Sequence, residues 1–260
     1  MGTKGSYTGN GTPASKELQN NVTQWLDAVA AAGPGGAEKQ LDPRQLLPSL
    51  RLFGSSGGHT DGPGGGTGAG GGGGGAGRSA GGGAQRTIAQ SSRTAGRAAA
   101  AAYAYRTGNA AALRELGLDY AQLQAVVHDP IEWTRRIVDA ACGPLADGTI
   151  EDTERRFVAS EVAQWVLEAG TADAPPSPDE VVRETLAMII FEAVVSETAA
   201  KMNDGSRPAW ATADGERQLL DTARALADRA SLTITGPSAA EITRAVEEGI
   251  GAMRSIWMEP

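Results

Sequence analysis

The spacing of apolar residues predicts a chain built almost entirely from α-helices. Apolar positions recur every three or four residues, the period of a helix that buries one face. Alternation with a period of two, which is typical of strands, is confined to residues 232–234. We therefore expect an all-α fold. The spacing predicts helices over residues 15–32, 119–127, 131–142, 151–168, 177–202, 215–230 and from 239 past 253, and an alanine-rich helix that ends at Gly108.

Two of these helices carry explicit start signals. Ser177 and Ser238 are each followed, three residues later, by a glutamate, which is the arrangement of a capping box. Pro178 also suits the first turn of a helix. The helix that Ser177 opens is apolar on most sides, which predicts a position at the centre of a helical bundle.

The chain contains one long segment of low complexity. Half of its 36 glycines lie between residues 54 and 83, so we assign residues 54–84 to a disordered, glycine-rich linker. About 30 residues of this composition span roughly 30 Å by the square-root rule. The linker is thus long enough for the segment before it to reach a partner.

The remaining residues divide into three regions. Residues 1–16 are assigned to an extended N-terminal arm, in which Pro13 is expected to prevent regular helix. Residues 17–53 form a short helical and apolar docking segment. Residues 85–260 form an all-α helical domain, which we expect to be a C-terminal helical bundle.

The net charge of −8 is distributed unevenly. Residues 86–114 contain five arginines and no acidic residue, whereas residues 115–260 contain 12 basic and 26 acidic residues. Phosphate contacts need clustered Lys and Arg, so an acidic body argues against nucleic acid as the main ligand. We expect the arginine-bearing helix to pack against the acidic body. The alternative is that Arg93, Arg97 and Arg106 bind a protein partner.

Residues that usually carry catalysis or bind metals are scarce. The one cysteine, Cys142, excludes a disulfide framework and a four-thiolate zinc site. The two histidines, His59 and His128, are far apart in the sequence. Acidic pairs such as Glu151 and Asp152 are neighbours, whose side chains diverge on a helix. We therefore predict no catalytic residue, no bound metal and no cofactor.

The sequence also bears on location. No stretch of 18 or more apolar residues occurs, so we expect no membrane-spanning helix and no membrane partner. Residues 1–13 are polar and glycine-rich, and they lack the apolar core of a secretory signal. A cytoplasmic protein is the expectation.

The N-terminus offers one unusual chemical group. Gly2 follows Met1, and a small residue at this position allows removal of the initiator methionine. The glycine α-amine that results has an ordinary pKa of about 7.7–8.0, so part of it is a neutral nucleophile near pH 7. Because glycine lacks a Cβ, this amine fits a narrow site. A disordered terminus without a function is the alternative interpretation.

The order of motifs resembles that of the QatB family, a component of the four-gene Qat antiviral systems of bacteria. Residues 1–9 match the start Met-Gly-Thr-x-x-Ser-Tyr-x-Gly, and residues 11–13 and 25–27 are similar to its Gly-Thr-Pro and Trp-Leu-Asp elements. The glycine-rich stretch, the arginine-bearing helix and the acidic helical half follow in the family's order. The glycine tract is longer, and the arginine block sparser, than in the family.

The resemblance implies three partners: an ATPase (QatA), a QueC-like protein (QatC) and a TatD-like nuclease (QatD). Enzymes related to QueC activate a 7-deazaguanine carboxylate with ATP for attack by ammonia. A glycine amine in place of ammonia would give an amide. Our hypothesis is therefore that this chain is a non-enzymatic protein that accepts such a group at Gly2. The residues expected to contact partners are Gly2, Thr3, Ser6, Tyr7, Trp25, Leu26, Arg93, Arg97 and Arg106.

A structural adaptor is the alternative from another class. In that interpretation the helical body bridges the ATPase and the nuclease, and the arm is only a docking peptide. A secreted or phage-structural protein has no secretion signal in its favour, and an enzyme has no residue set that indicates it. The mass of the N-terminal peptide separates the modified protein from the adaptor.

Overall fold

A computed structural model of the chain describes residues 11–34, 40–53, 88–143, 150–170, 174–203, 205–230, 232 and 236–258. These residues form ten α-helices and one 3-10 turn, and no strand occurs among them. The expected all-α fold is confirmed. The linker assigned to residues 54–84 lies outside the described residues.

The helices follow one another along the chain in a simple order. They are α1 (Pro13–Ala32), α2 (Leu47–Leu50), α3 (Ile88–Arg106), α4 (Ala110–Glu115), α5 (Tyr120–Val126), α6 (Pro130–Cys142), α7 (Ile150–Glu168), α8 (Pro178–Met202), α9 (Ala209–Ala227) and α10 (Ala239–Met258). The 3-10 turn, Pro43–Leu46, leads directly into α2. The short helix α4 has no counterpart among the predicted elements. Helix α9 begins six residues before its predicted start, because Gly215 lies inside the helix rather than at its beginning.

The apolar helix α8 occupies the centre, as its sequence predicts. It packs against α1, α2, α3, α7, α9 and α10. Its buried side chains are distributed around the helix and include Val182, Leu186, Ile190 and Val194, each without exposed surface. The long helices α1, α3, α7, α9 and α10 therefore all contact one central helix.

Both predicted capping boxes are formed. The Ser177 N–H donates to Glu180 Oε2 at 2.7 Å, and the Glu180 N–H donates to Ser177 Oγ at 3.3 Å. Ser238 and Glu241 repeat this pattern at 3.2 and 3.3 Å at the start of α10. These hydrogen bonds stabilise the ionised carboxylates and lower the pKa of Glu180 and of Glu241.

Small residues bring α3 and α10 close together. A Cβ on Gly96 would lie 2.6 Å from Thr243 Oγ1 and 2.8 Å from Thr243 Cα, so only a glycine fits at this crossing without a shift. The alanines of α3 are also buried, and Ala95, Ala98 and Ala99 are at most 1 % exposed. The alanine-rich sequence of α3 thus serves helix packing.

Helix α1 belongs to the same hydrophobic core as the C-terminal bundle. It begins at Pro13, inside the stretch assigned to the arm, and it packs against α8 and α9. The expectation that Pro13 prevents helix is wrong, because proline at the first helical position needs no N–H partner and already has a helical φ. The surface on which the segment 17–53 docks is the bundle of its own chain.

Candidate functional site

The start of α1 is fixed by local capping. The Thr12 side chain accepts a hydrogen bond from the Ser15 N–H at 3.2 Å, and Pro13 follows it in the first turn. Gly11 has a φ of +70°, a conformation that other residues rarely adopt. The chain therefore enters α1 in a defined direction.

A buried polar contact joins this first turn to α8. Ser15 Oγ donates to Glu197 Oε2 at 2.7 Å, and the two residues are 0 % and 1 % exposed. The Gln19 Nε2 donates to the backbone oxygen of Glu197 at 3.0 Å. A buried carboxylate is costly unless it accepts hydrogen bonds, so this contact favours one position of α1 on α8.

Trp25 and Leu26 hold the middle of α1 against α9. Their side chains are 4 % and 0 % exposed. They cover Gly215, where an added Cβ would collide with Leu26 Cδ2 and lie 3.6 Å from two Trp25 ring atoms. A partner protein could reach these two side chains only if α1 left the bundle.

An ion pair at the next residue, Asp27, adds to this attachment. The Asp27 carboxylate lies 2.7 Å from Arg207 Nη2, and the Arg207 side chain is only 5 % exposed. The Arg207 Nη1 also donates to the backbone oxygen of Lys201 at 2.7 Å, near the end of α8. Helix α1 is therefore attached at its first turn and again around residues 25–27.

The candidate arginines of α3 lie in different environments. Arg97 Nη2 donates to the Ala140 carbonyl at 3.2 Å, near the end of α6. Arg106 donates to the carbonyls of Leu167 and Ala169 at 2.7 and 2.8 Å, at the end of α7. The guanidinium groups thus satisfy carbonyls that a helix end leaves without partners. Arg93 is exposed.

The structure does not bring the candidate residues of α1 and α3 together. Trp25 and Leu26 face α9, whereas Arg97 and Arg106 reach α6 and α7. The remaining candidates, Gly2, Thr3, Ser6 and Tyr7, lie outside the described residues.

Cys142 and His128 lie at opposite ends of α6. Burial raises the pKa of the half-buried Cys142 thiol, and the nearby Arg156 opposes this shift only in part. His128 is exposed on the turn before α6. Within the described part of the chain, no group of three or more His, Cys, Asp or Glu residues is arranged to hold a metal ion.

A surface cavity of about 460 Å³ lies between α5 and α6, and Arg135, Arg136 and Asp139 line it. Hydrogen bonds from Arg135 and Arg136 lower the pKa of Glu132 to about 2. Arg135 also lies 2.9 Å from Asp139. These charged side chains pair mainly with one another, so none of them is directed toward a ligand in the cavity.

Sequence reasoning missed three residues: Ser15 at the start of α1, its partner Glu197 on α8, and the exposed Phe157 on α7. Glu197 could have been identified from the sequence, because it is an acidic residue within a helix that is apolar on most sides. Phe157 on α7 is 41 % exposed, and nothing in the sequence separates it from the buried apolar residues of the same helix. The exposure of Phe157 is evident only from the way α7 packs in the structure.

Comparison with known proteins finds no match for this chain among protein families, curated proteins or solved structures. Among the described residues, no helix is long and apolar enough to cross a membrane. The fold and the attached helix α1 are therefore the basis for functional inference, together with the sequence motifs.

Proposed function

We propose that this chain is a non-enzymatic component of a bacterial antiviral system of the Qat type, and that the Gly2 amine accepts a 7-deazaguanine-type group. A QueC-like, ATP-dependent partner transfers the group. The QatB-like motif over residues 1–9 supports the proposal from the sequence side. Thr3, Ser6 and Tyr7 are the residues that this partner recognises.

The structural observation that carries the proposal is the fixed position of α1. Thr12 and the first turn of α1 are held on α8 through Ser15 and Glu197. The ten residue steps from Thr12 back to Gly2 can span at most about 36 Å. A rigid body therefore presents this segment from one defined point, which suits modification by a separate enzyme.

The chemistry requires only the α-amine of this chain. The Gly2 nitrogen attacks the carbonyl carbon of the ATP-activated carboxylate, and one C–N bond forms. The activating group leaves with the electron pair of its C–O bond, and the nitrogen loses a proton to give an amide. An ordinary α-amine pKa of about 7.7–8.0 leaves a useful neutral fraction near pH 7.

The test is the mass of the N-terminal peptide after co-expression with the products of the neighbouring genes. We expect a chain without Met1 that carries an added mass the size of a nucleobase on Gly2. A Gly2→Leu variant should lose both the added mass and antiviral defence. The matched control is Gly5→Leu, at a position that the motif leaves variable. Unchanged defence in the Gly2→Leu variant would contradict the proposal.

The same measurement decides the adaptor alternative. A chain without Met1 and without any addition would favour a protein that bridges the ATPase and the TatD-like nuclease. Deletion of residues 2–10 would then test the arm as a docking peptide. Loss of binding to either protein would support that role.

A further inference from the structure

The first turn of α1 and the helix α7 both contact the same part of α8. Ser15 of α1 contacts Glu197 of α8. The neighbouring residue, Ser196, donates a hydrogen bond to Glu154 of α7. Thr12, the residue that caps α1, is therefore only a few side-chain contacts away from α7.

An exposed aromatic ring lies one turn further along α7. Phe157 follows Glu154 by three residues, so both lie on the same side of the helix. Its side chain is 41 % exposed, and Phe157 and Ile131 are the exposed large apolar residues of the described chain. We call the surface that continues from it the outer α7 face; it consists of Phe157, Ser160, Glu161, Gln164 and Glu168.

The charges of α7 are segregated between two sides. Arg156 lies 3.1 Å from Asp139 and donates to the Gly143 carbonyl at 2.6 Å, so it is directed toward α6. Arg155 donates to Gln90 of α3 at 3.3 Å. Both arginines of this helix are thus paired with other residues of the chain, and the outer α7 face carries no basic residue.

In the described ranges, the negative charges of the two carboxylates on this face are not balanced by ion pairs with positively charged neighbours. No described residue pairs with the Glu161 carboxylate, which is half-buried. Glu168 accepts a hydrogen bond from the neutral Gln164 amide at 2.9 Å. The outer α7 face therefore combines an apolar ring with negative charge.

We propose that the outer α7 face is the docking surface for the protein that acts on the N-terminus. That protein presents an apolar pocket for the Phe157 ring, with Lys or Arg side chains opposite Glu161 and Glu168. This inference rests on the proposed function. Two observations select the occupant: the negative charge of the face favours a basic partner, and hydrogen bonds at the adjacent residues Ser196 and Glu197 of α8 connect the start of α1 to α7.

The reach of the N-terminal segment fits this arrangement. Gly2 can lie at most about 36 Å from Thr12. An enzyme seated on the outer α7 face would hold its own active site within this distance. The docking surface would then raise the local concentration of the Gly2 amine without contacting the amine itself.

The experiment measures two quantities for each variant of the full chain: the affinity for the purified QueC-like protein, and the fraction of Gly2 modified after co-expression. The test variants are Phe157→Ser and Glu161→Lys. The controls are Ile131→Ser, which removes the other exposed apolar side chain, and Glu216→Lys, an equal charge reversal at an exposed position of α9. A thermal unfolding curve for each variant confirms that it folds.

We expect each test variant to weaken the affinity about tenfold or more, as for other aromatic anchors, and to slow modification of Gly2. Both controls should match the parent chain. Parent-level affinity and modification in a folded Phe157→Ser variant would overturn the inference. A variant that alters only self-association, measured by sedimentation, would assign the face to a second copy and also overturn it.

The outcome separates this inference from the proposed function. If the parent chain binds the QueC-like protein through Phe157 but Gly2 carries no addition, the docking surface stands and the modification is overturned. If Gly2 is modified equally in every variant, the modification stands and the docking surface is overturned. If the parent chain neither binds nor carries an addition, both are overturned.

Discussion

Ser15 and Glu197 are 182 residues apart in the chain, and the Ser15 hydroxyl donates a 2.7 Å hydrogen bond to the Glu197 carboxylate inside the core. This contact places the first turn of α1 on the central helix. It also determines where the N-terminal residues leave the bundle. Its loss should therefore affect both stability and the presentation of Gly2.

We expect Ser15→Ala to lower the free energy of unfolding by about 1–3 kcal/mol, because the buried Glu197 carboxylate loses a hydrogen-bond donor. Urea denaturation followed by circular dichroism measures this change. The control is Ser255→Ala, which removes an exposed hydroxyl that bonds only within its own helix. Equal effects of the two substitutions would show that the buried contact contributes nothing specific.

At the crossing of α3 and α10, we expect a glycine-to-alanine substitution to have the opposite effect on stability from the one that helix propensity predicts. Alanine at an exposed helical glycine stabilises by up to about 1 kcal/mol. At Gly96, however, the added Cβ would meet the Thr243 backbone at 2.8 Å. We expect Gly96→Ala to destabilise the protein by about 1–3 kcal/mol through overpacking.

Gly251 provides the matched control for Gly96. It lies on α10, and an added Cβ would meet nothing within 4 Å. Gly251→Ala should stabilise the protein by about 0.5–1 kcal/mol. The comparison uses the midpoints of thermal unfolding. Stabilisation by both substitutions would contradict the close approach of α3 to α10.

Arg106 is expected to contribute to stability rather than to direct partner binding. Arg106→Met leaves the carbonyls of Leu167 and Ala169 without this donor, which should cost about 1–3 kcal/mol. Arg93→Met, at an exposed position of the same helix, should change stability by less than about 0.5 kcal/mol. Chemical denaturation compares the two. An unchanged stability in Arg106→Met would instead favour a role for Arg106 in binding a partner.

Glu161 should give a pH-dependent effect. Burial, and secondarily the charge of Glu168, raises the pKa of Glu161 in the folded chain. A carboxyl whose folded pKa exceeds its unfolded value binds its proton more tightly when folded. Its ionisation therefore opposes folding, and this cost appears as the pH rises through the folded pKa.

We accordingly expect Glu161→Gln to raise stability at pH 7, and we expect this gain to shrink as the pH falls through the raised folded pKa and to be absent below the unfolded value of about 4.3. Denaturation midpoints over a pH series measure the change. Glu216→Gln, at an exposed site on α9, serves as the control. A gain that is independent of pH would exclude the charge of Glu161 as its cause.

Most helices of the bundle could be predicted from capping motifs and from the spacing of apolar residues. Ser177 and Ser238 each form the capping box that their spacing predicts, and α8 has the central position that its apolar residues predict. These features depend on neighbours within a few residues along the chain. The same rules assigned Pro13 a helix-breaking role and missed that Thr12 caps the helix which Pro13 begins.

The sequence by itself thus determined the all-α class and the central position of α8. Only the tertiary structure decided that α1 lies in the core, that Trp25 and Leu26 cover Gly215, and that Phe157 stays exposed. The reason is physical. Helical periodicity reports which face of a helix is apolar, whereas the identity of the surface that covers this face depends on residues such as Glu197 and Gly215, nearly 200 positions away.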